Sequence, residues 1–421
     1  MSAEHFLTRA SWTLVDQCMV SGGNFIMNLL LARQLSQDDY GEFALLLSAI
    51  FVLRAVDYSF ISYPFSVRLS TTTAGERPRL LASTALLAVA LSLVLVVAMA
   101  LATMLLEEDN ILLPACLCFL CWQAQETSRR FLLGDFRHRE AVPGDGLAFF
   151  GQGLLMAVLG WMDSLTLATA LYAMSATFVL GALVHVSKLR FAMPDFSELR
   201  GLVVEYFSLG RWSFVSYELV LVRAQLFAWT LAATAGPAAT ASLQAGLNIA
   251  NTMNPINFGI GNAIPQVAAH AHRTGGVIGA WRAAQGYILF GLVPIVLIGA
   301  AIAILPEHLL QIAYGPSSPY LTAAFGLQLL AFAGVLDYVA EMISKTLLGV
   351  QAGRLAFVVN VVAFGVAAVL AFGLVGTLGV FGACLAMLLA NLVRVAGGVI
   401  AIVRLITGET ARGEASLIGR T

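Results

Sequence analysis

Carboxylates and guanidiniums stand where this chain is otherwise apolar: Asp16, Arg54, Asp57, Glu126, Glu218, Arg223, Asp337, Glu341 and Arg394 fall within long runs of Leu, Val, Ala and Phe. An ionised side chain at the middle of a bilayer costs about 2.5 to 3.5 kcal/mol on insertion scales, so each must meet a partner, a wet cavity or a charged ligand. Arg54 and Asp57 share one helical face and can neutralise one another. Glu126 with Arg130, and Glu341 with Lys345, have the spacing of pairs within one helix, and are expected to maintain the fold or gate the inner mouth of a pathway. Arg129 reads as a cytoplasmic anchor. Glu218 and Arg223 point about 140° apart around a helix, so each needs something on another helix, or a substrate.

Uncharged polar groups form stripes as well. Gln17, Ser21, Asn24 and Asn28 share one face beside Asp16; Gln244, Asn248 and Asn251 share another, interrupted by Asn254-Pro255. Buried amides must find hydrogen-bond partners or water. The two stripes are expected to line a hydrated central cavity, with Asn24, Asn28, Gln244, Asn248 and Asn251 touching substrate. There is no G-x-x-x-x-G-K-[ST] phosphate loop, so ATP hydrolysis is not expected. No large loop offers an acid or base above the membrane, so catalysis is not expected either. Cys116, Cys118 and Cys121 cluster without a nearby His and read as packing rather than metal ligands; no cofactor or metal is predicted.

The elements that must position these groups are membrane spans. The 421 residues are 59% hydrophobic and 11% charged, too apolar for a water-soluble globule. Helical runs of about 20 residues, the length of one crossing, are predicted at 12 to 33, 43 to 66, 80 to 106, 112 to 133, 146 to 161, 166 to 187, 207 to 232, 240 to 268, 281 to 305, 321 to 348, 355 to 375 and 380 to 404. The fold class is therefore an all-α polytopic membrane protein. Its net charge of -1 gives no reason to expect nucleic acid. The first run is too long for a cleavable signal and is expected to serve as an uncleaved one.

The second six runs echo the first six. Glu126, Arg130, Leu132, Leu133 and Gly134 recur as Glu341, Lys345, Leu347, Leu348 and Gly349; Trp12, Val15, Leu31 and Ala32 correspond to Trp212, Val215, Leu231 and Ala232. An even number of crossings per repeat implies two six-helix bundles related by a pseudo-twofold along the membrane normal. The predicted division is residues 1–187, a linker at 188–206 and residues 207–421 with a short tail. In the linker, Phe196, Leu199, Val203 and Tyr206 have the spacing of a short amphipathic helix lying in the membrane interface. Basic residues collect on one side: Arg9, Arg68, Arg77, Arg79, Arg137, Arg139, Lys188, Arg190, Arg200, Arg273, Arg354 and Arg404. The opposite loops hold Asp38, Asp39, Glu42, Glu107, Glu108, Asp109, Asp163 and Glu307, with Arg33 the lone basic residue. Both termini are therefore expected in the cytoplasm.

Leu31-Ala32-Arg33-Gln34-Leu35 followed by Asp39-Tyr40-Gly41-Glu42-Phe43-Ala44 resembles the opening signature of the polysaccharide transporters in the multidrug/oligosaccharidyl-lipid/polysaccharide exporter superfamily. Tyr314-Gly315-Pro316 through Tyr320 resembles a second marker, and Gly376, Gly379, Gly382 and Ala383 a third. Ser36-Gln37 departs from the Gly-Pro common in relatives, which the second half carries as Gly236-Pro237. The two further helices usual in lipid II flippases are absent, which argues against a peptidoglycan precursor. The resemblance implies a Wzx-like flippase of the bacterial cytoplasmic membrane that moves an undecaprenyl-diphosphate-linked oligosaccharide, with Arg54 and Arg223 as partners of the diphosphate. It also implies membrane lipids and a polysaccharide polymerase or glycosyltransferases as partners. The other class it implies is a proton- or sodium-coupled multidrug or metabolite antiporter, with Asp16 as the coupling acid and Asp57 and Glu218 as further coupling or gating groups.

Overall fold

The computed structural model describes the backbone of residues 3–105 and 109–418; the side chains of residues 3–11, 13, 14, 109, 212, 215–218, 220 and 410–418 lie outside the description. The side chains of Arg9, Glu107, Glu108, Asp109, Trp212, Val215 and Glu218, for which the sequence sets expectations, lie outside the described residues.

Twelve long helices run through the described residues: α1 Ala3–Gln34, α2 Gln37–Leu69, α3 Arg77–Met104, α4 Leu112–Gly134, α5 His138–Trp161, α6 Leu167–Lys188, α7 Leu199–Ala235, α8 237–275, α9 277–304, α10 Ala324–Gly349, α11 353–375 and α12 380–418. Each coincides with a predicted span. The fifth begins earlier than predicted: α5 starts at His138 and carries Pro143 one turn in. Its start is followed by a wide π turn at Gly146–Phe150; α2 and α11 carry similar turns at Tyr58–Ser62 and Ala371–Val375.

Local chemistry sets the ends. Ser36 accepts from the Asp39 backbone N–H at 3.1 Å and caps α2, while Asp38 and Asp39 complement the positive end of the helix dipole. Thr166 and Thr169 form a reciprocal capping box at the start of α6. Gly276 separates α8 from α9 with φ 61° and ψ -160°, a conformation nearly confined to glycine. The Glu409 carboxylate accepts from the Val277 N–H at 2.7 Å and so caps α9.

The chain forms two compact units, residues 1–225 and 226–421, with the division inside α7. In the first unit α4 packs along α6 and α3, and α1 along α5. Composition explains the arrangement. α3 is apolar all round and keeps Leu93, Val94, Val97 and Leu101 exposed, as a lipid-facing helix does. By contrast α4 buries Gln123, Gln125, Glu126, Thr127, Ser128 and Arg129, so it must sit where other helices supply partners. In the second unit α10 has the central place, against α8, α9 and α12. Residues 189–198 are not helical, and the helix that follows runs straight on into the seventh span. Tyr206, expected on the outward apolar face of the linker, is instead buried against Thr84, with 2.8 Å between the hydroxyls.

Candidate charged sites in the two units

In the first unit the charges meet on α4, where one guanidinium serves three carboxylates. Arg129 Nε donates to Asp145 Oδ2 at 2.9 Å, Nη1 to Glu126 Oε2 at 3.4 Å, and Nη2 to Asp16 Oδ2. The Arg129 side chain is 5% exposed, Asp16 1% and Asp145 0%. Arg129 is thus no cytoplasmic anchor; it is the buried centre joining α1, α4 and α5. The planar fork of arginine permits this, because its five donors point in fixed directions that a lysine cannot reproduce.

Glu126 gathers the other cations. Arg130 Nε donates to Oε1 at 2.7 Å, and Arg54 Nη2 lies 3.2 Å from Oε2. Arg54 is therefore ion-paired across helices with Glu126, not simply neutralised by Asp57, its neighbour on α2. Its guanidinium also stacks 4.5 Å from the Trp122 ring centroid, and that of Arg130 stands 5.2 Å from Tyr58. Asp57 is buried and accepts from Ser62 Oγ at 3.4 Å, across the wide turn that follows it. Arg223 is buried on α7, two residues before Gln225, whose Oε1 accepts from Ser48 Oγ at 2.7 Å.

Two members of this cluster were not singled out from the sequence. Asp145 accepts from Gln125 Nε2 at 2.8 Å, and His185, on α6, lies 3.7 Å from the same carboxylate while its Nε2 donates to the Ala141 carbonyl at 3.0 Å. Asp145 directly follows Pro143-Gly144, a pair that reads as a loop. The available signal was the polar run on α4, which requires carboxylates and amides opposite it.

The second unit holds a smaller cluster. Arg394 Nη1 on α12 donates to Asp337 Oδ1 at 2.6 Å, Nη2 to Glu341 Oε2 at 3.2 Å, and Nε to Asn360 Oδ1 on α11 at 3.2 Å. Lys345 Nζ lies 3.5 Å from Glu341 Oε1. Here the acids are the more exposed partners, Asp337 at 37% and Glu341 at 32%, over an arginine at 2%. The repeated glutamates Glu126 and Glu341 thus each hold the cation one turn on and a buried arginine. The buried arginine comes from the same helix in one unit and from α12 in the other.

The amide stripes divide. Asn28 is buried, donating to the Asn24 carbonyl at 2.9 Å and accepting from Tyr40 OH at 3.3 Å. Asn248 is buried too, donating to Tyr314 OH at 3.4 Å, while that hydroxyl donates to the Ala245 carbonyl at 3.0 Å. Gln244 and Asn24 are half-buried, and Asn251 is exposed in the turn before Pro255. The tyrosines of two signature motifs therefore hold the most deeply buried amide of each stripe.

No family model matches the sequence, and no characterised protein sequence does. Solved structures do match. One is the inward-facing conformation of a multidrug resistance MATE family transporter of the MOP superfamily, with a TM-score of 0.71 and 17% identity over 95% of this chain and 96% of that one. Another is the outward-facing conformation of such a transporter, at 0.66 and 15% over 94% and 95%. A third is a MOP superfamily transporter from Pyrococcus furiosus Vc1, at 0.66 and 14% over 94% and 95%; reverse polarity of its binding pocket is said to suggest a different function. The chain has the fold of these transporters over nearly its full length.

Proposed function

We propose that the chain is an alternating-access transporter of the cytoplasmic membrane that flips an anionic, undecaprenyl-diphosphate-linked oligosaccharide for cell-surface polysaccharide synthesis. The observation that carries the reading is the convergence of three guanidiniums, Arg54, Arg129 and Arg130, on Glu126. A carboxylate held by three guanidiniums can release one to a phosphate and keep two. Arg54 is taken as the one that leaves, since its pair with Glu126 comes from another helix, whereas Arg129 and Arg130 reach Glu126 along their own helix. Diphosphate needs cationic, hydrogen-bonding partners when it leaves water, and arginine provides them in two-pronged form. The engagement of Asp16 by Arg129 counts against Asp16 as a free coupling acid.

A second reading, a cation-coupled antiporter for cationic compounds, is favoured by the second unit, where Asp337 and Glu341 are half-buried beside the buried Arg394. Solved neighbours of this fold include multidrug transporters and one of reversed pocket polarity, so the fold alone does not choose between the two.

Vesicles reconstituted with the protein and a labelled lipid-linked oligosaccharide separate the readings. Under the flippase reading, transport falls in the order Arg, Lys, Gln at position 54 and at position 223, with protein amount and fold monitored in parallel. Wild-type transport by well-folded Arg54→Gln and Arg223→Gln proteins would overturn the assignment of both arginines. Uptake of a cationic dye driven by a proton or sodium gradient, abolished by Asp337→Asn, would establish the second reading instead.

A further inference from the structure

Where α2 ends and α7 begins, the first unit carries an open groove of about 550 Å³. Val67, Arg68, Ser70 and Thr71 form one wall, and Val204, Glu205 and Ser208 the other. The α7 wall is fixed from behind: Leu202 and Tyr206 are buried in the core of the unit with Phe65, Leu69 and Phe131. The chain leading to it is tied down as well, by Ala192 N–H to the Pro78 carbonyl at 3.1 Å and Arg137 Nη2 to the Lys188 carbonyl at 2.8 Å. Such anchoring leaves the other side bare. Met193, Phe196, Val204 and Phe207 are 84%, 67%, 64% and 59% exposed, and in the same stretch of chain Lys188, Arg190, Glu198 and Arg200 are exposed and Asp195 half-buried.

We propose that this groove seats the head group of an anionic phospholipid from the membrane leaflet at this end of the helices. An apolar rim that also offers cations suits such a leaflet: the rim takes acyl chain, a cation takes phosphate. Arg68 is the cation within the groove. Its present partner is Glu205, at 3.2 Å, in a pair whose side chains are 48% and 36% exposed. Exposed pairs of this kind contribute little, so a phosphate can take the place of the Glu205 carboxylate. Ser70 and Thr71 have already given their hydroxyl protons to the Val67 and Arg68 carbonyls. Their oxygens are left as acceptors, which suits the glycerol hydroxyls of phosphatidylglycerol better than a bare phosphate.

The test uses the purified full chain in neutral detergent, with retention of phosphatidylglycerol and phosphatidylcholine compared by native mass spectrometry. The wild type is expected to prefer phosphatidylglycerol. Arg68→Gln lowers that preference about five-fold, the factor given by about 1 kcal/mol for one basic residue at an anionic surface. Glu205→Gln removes the competing carboxylate and raises it, so the result does not depend on the arginine variant folding. Equal retention of both lipids by the wild type overturns the proposal, as does a Glu205→Gln protein with unchanged or weaker preference. Displacement of the lipid by millimolar inorganic phosphate overturns it too, since the groove would then be an ion site and not a lipid site.

Discussion

Replacing Arg129 by Gln removes the one guanidinium shared by Asp16 and Asp145, which are 1% and 0% exposed. Breaking a buried ion pair by deleting one partner costs about 3 to 5 kcal/mol, because the remaining charge is left without compensation. Two deeply buried carboxylates are stranded here, while Glu126 keeps Arg54 and Arg130. The cost should therefore reach the upper part of that range, which is a large share of the about 5 to 15 kcal/mol by which proteins are stable. Arg129→Lys restores charge but can meet the three acceptors only poorly, and should fall between Gln and the wild type. The triple variant Asp16→Asn/Arg129→Gln/Asp145→Asn removes charge on both sides and should recover much of the loss. Thermal unfolding in detergent, followed by the fraction remaining monodisperse, reads all four proteins. If Arg129→Gln unfolds with the wild type, or if the triple variant is no better than Arg129→Gln, the central role of this guanidinium is refuted.

Further outcomes follow from other contacts. In the second unit Arg394→Gln should destabilise far more than Lys345→Gln, since Arg394 is 2% exposed and Lys345 33%; equal midpoints of thermal unfolding would contradict this. Gly276→Ala should cost about 1 to 3 kcal/mol, as φ 61° is strained for a residue with a side chain and the added carbon would lie 2.3 Å from Glu409 Oε1; an unchanged unfolding midpoint would show that the turn relaxes freely. On a cysteine-free background, a cysteine at Ala74 should react with an impermeant maleimide only from the cytoplasmic side, and one at Ser317 from outside. The reverse pattern would invert the orientation read from the arginines.

Much of the fold was legible because each span announces itself by apolar length, and because a spacing of four residues does place Arg130 on Glu126 and Lys345 beside Glu341. The site was less legible, since periodicity says which residues share a face but not which helix that face meets. Arg54 has Asp57 within reach on its own helix, yet pairs with Glu126, 72 positions away in sequence. Arg129 binds Asp16 from 113 positions away. Asp145 was hidden by Pro143-Gly144, which reads as a break but lies inside α5. Tyr206 has the spacing of an interfacial face, yet it is buried beside Phe65, Leu69 and Phe131 and meets the Thr84 hydroxyl, while Phe196 and Val203 of that face stay exposed.

The balance within each ion network bears on how the membrane voltage would act. Among the described residues, Asp16, Glu126 and Asp145 are ion-paired with Arg54, Arg129 and Arg130 in the first unit, and Asp337 and Glu341 with Lys345 and Arg394 in the second. Positive and negative members are equal in number in both, so a network that moves intact carries almost no gating charge through the field. Under the proposed function the voltage then works on the cargo. An inside-negative potential drives each negative charge outward with about 2.3 kcal/mol per 100 mV, and a diphosphate brings that force with it. Directionality would be supplied by the passenger's own charge, with the helices serving as an electrically quiet frame.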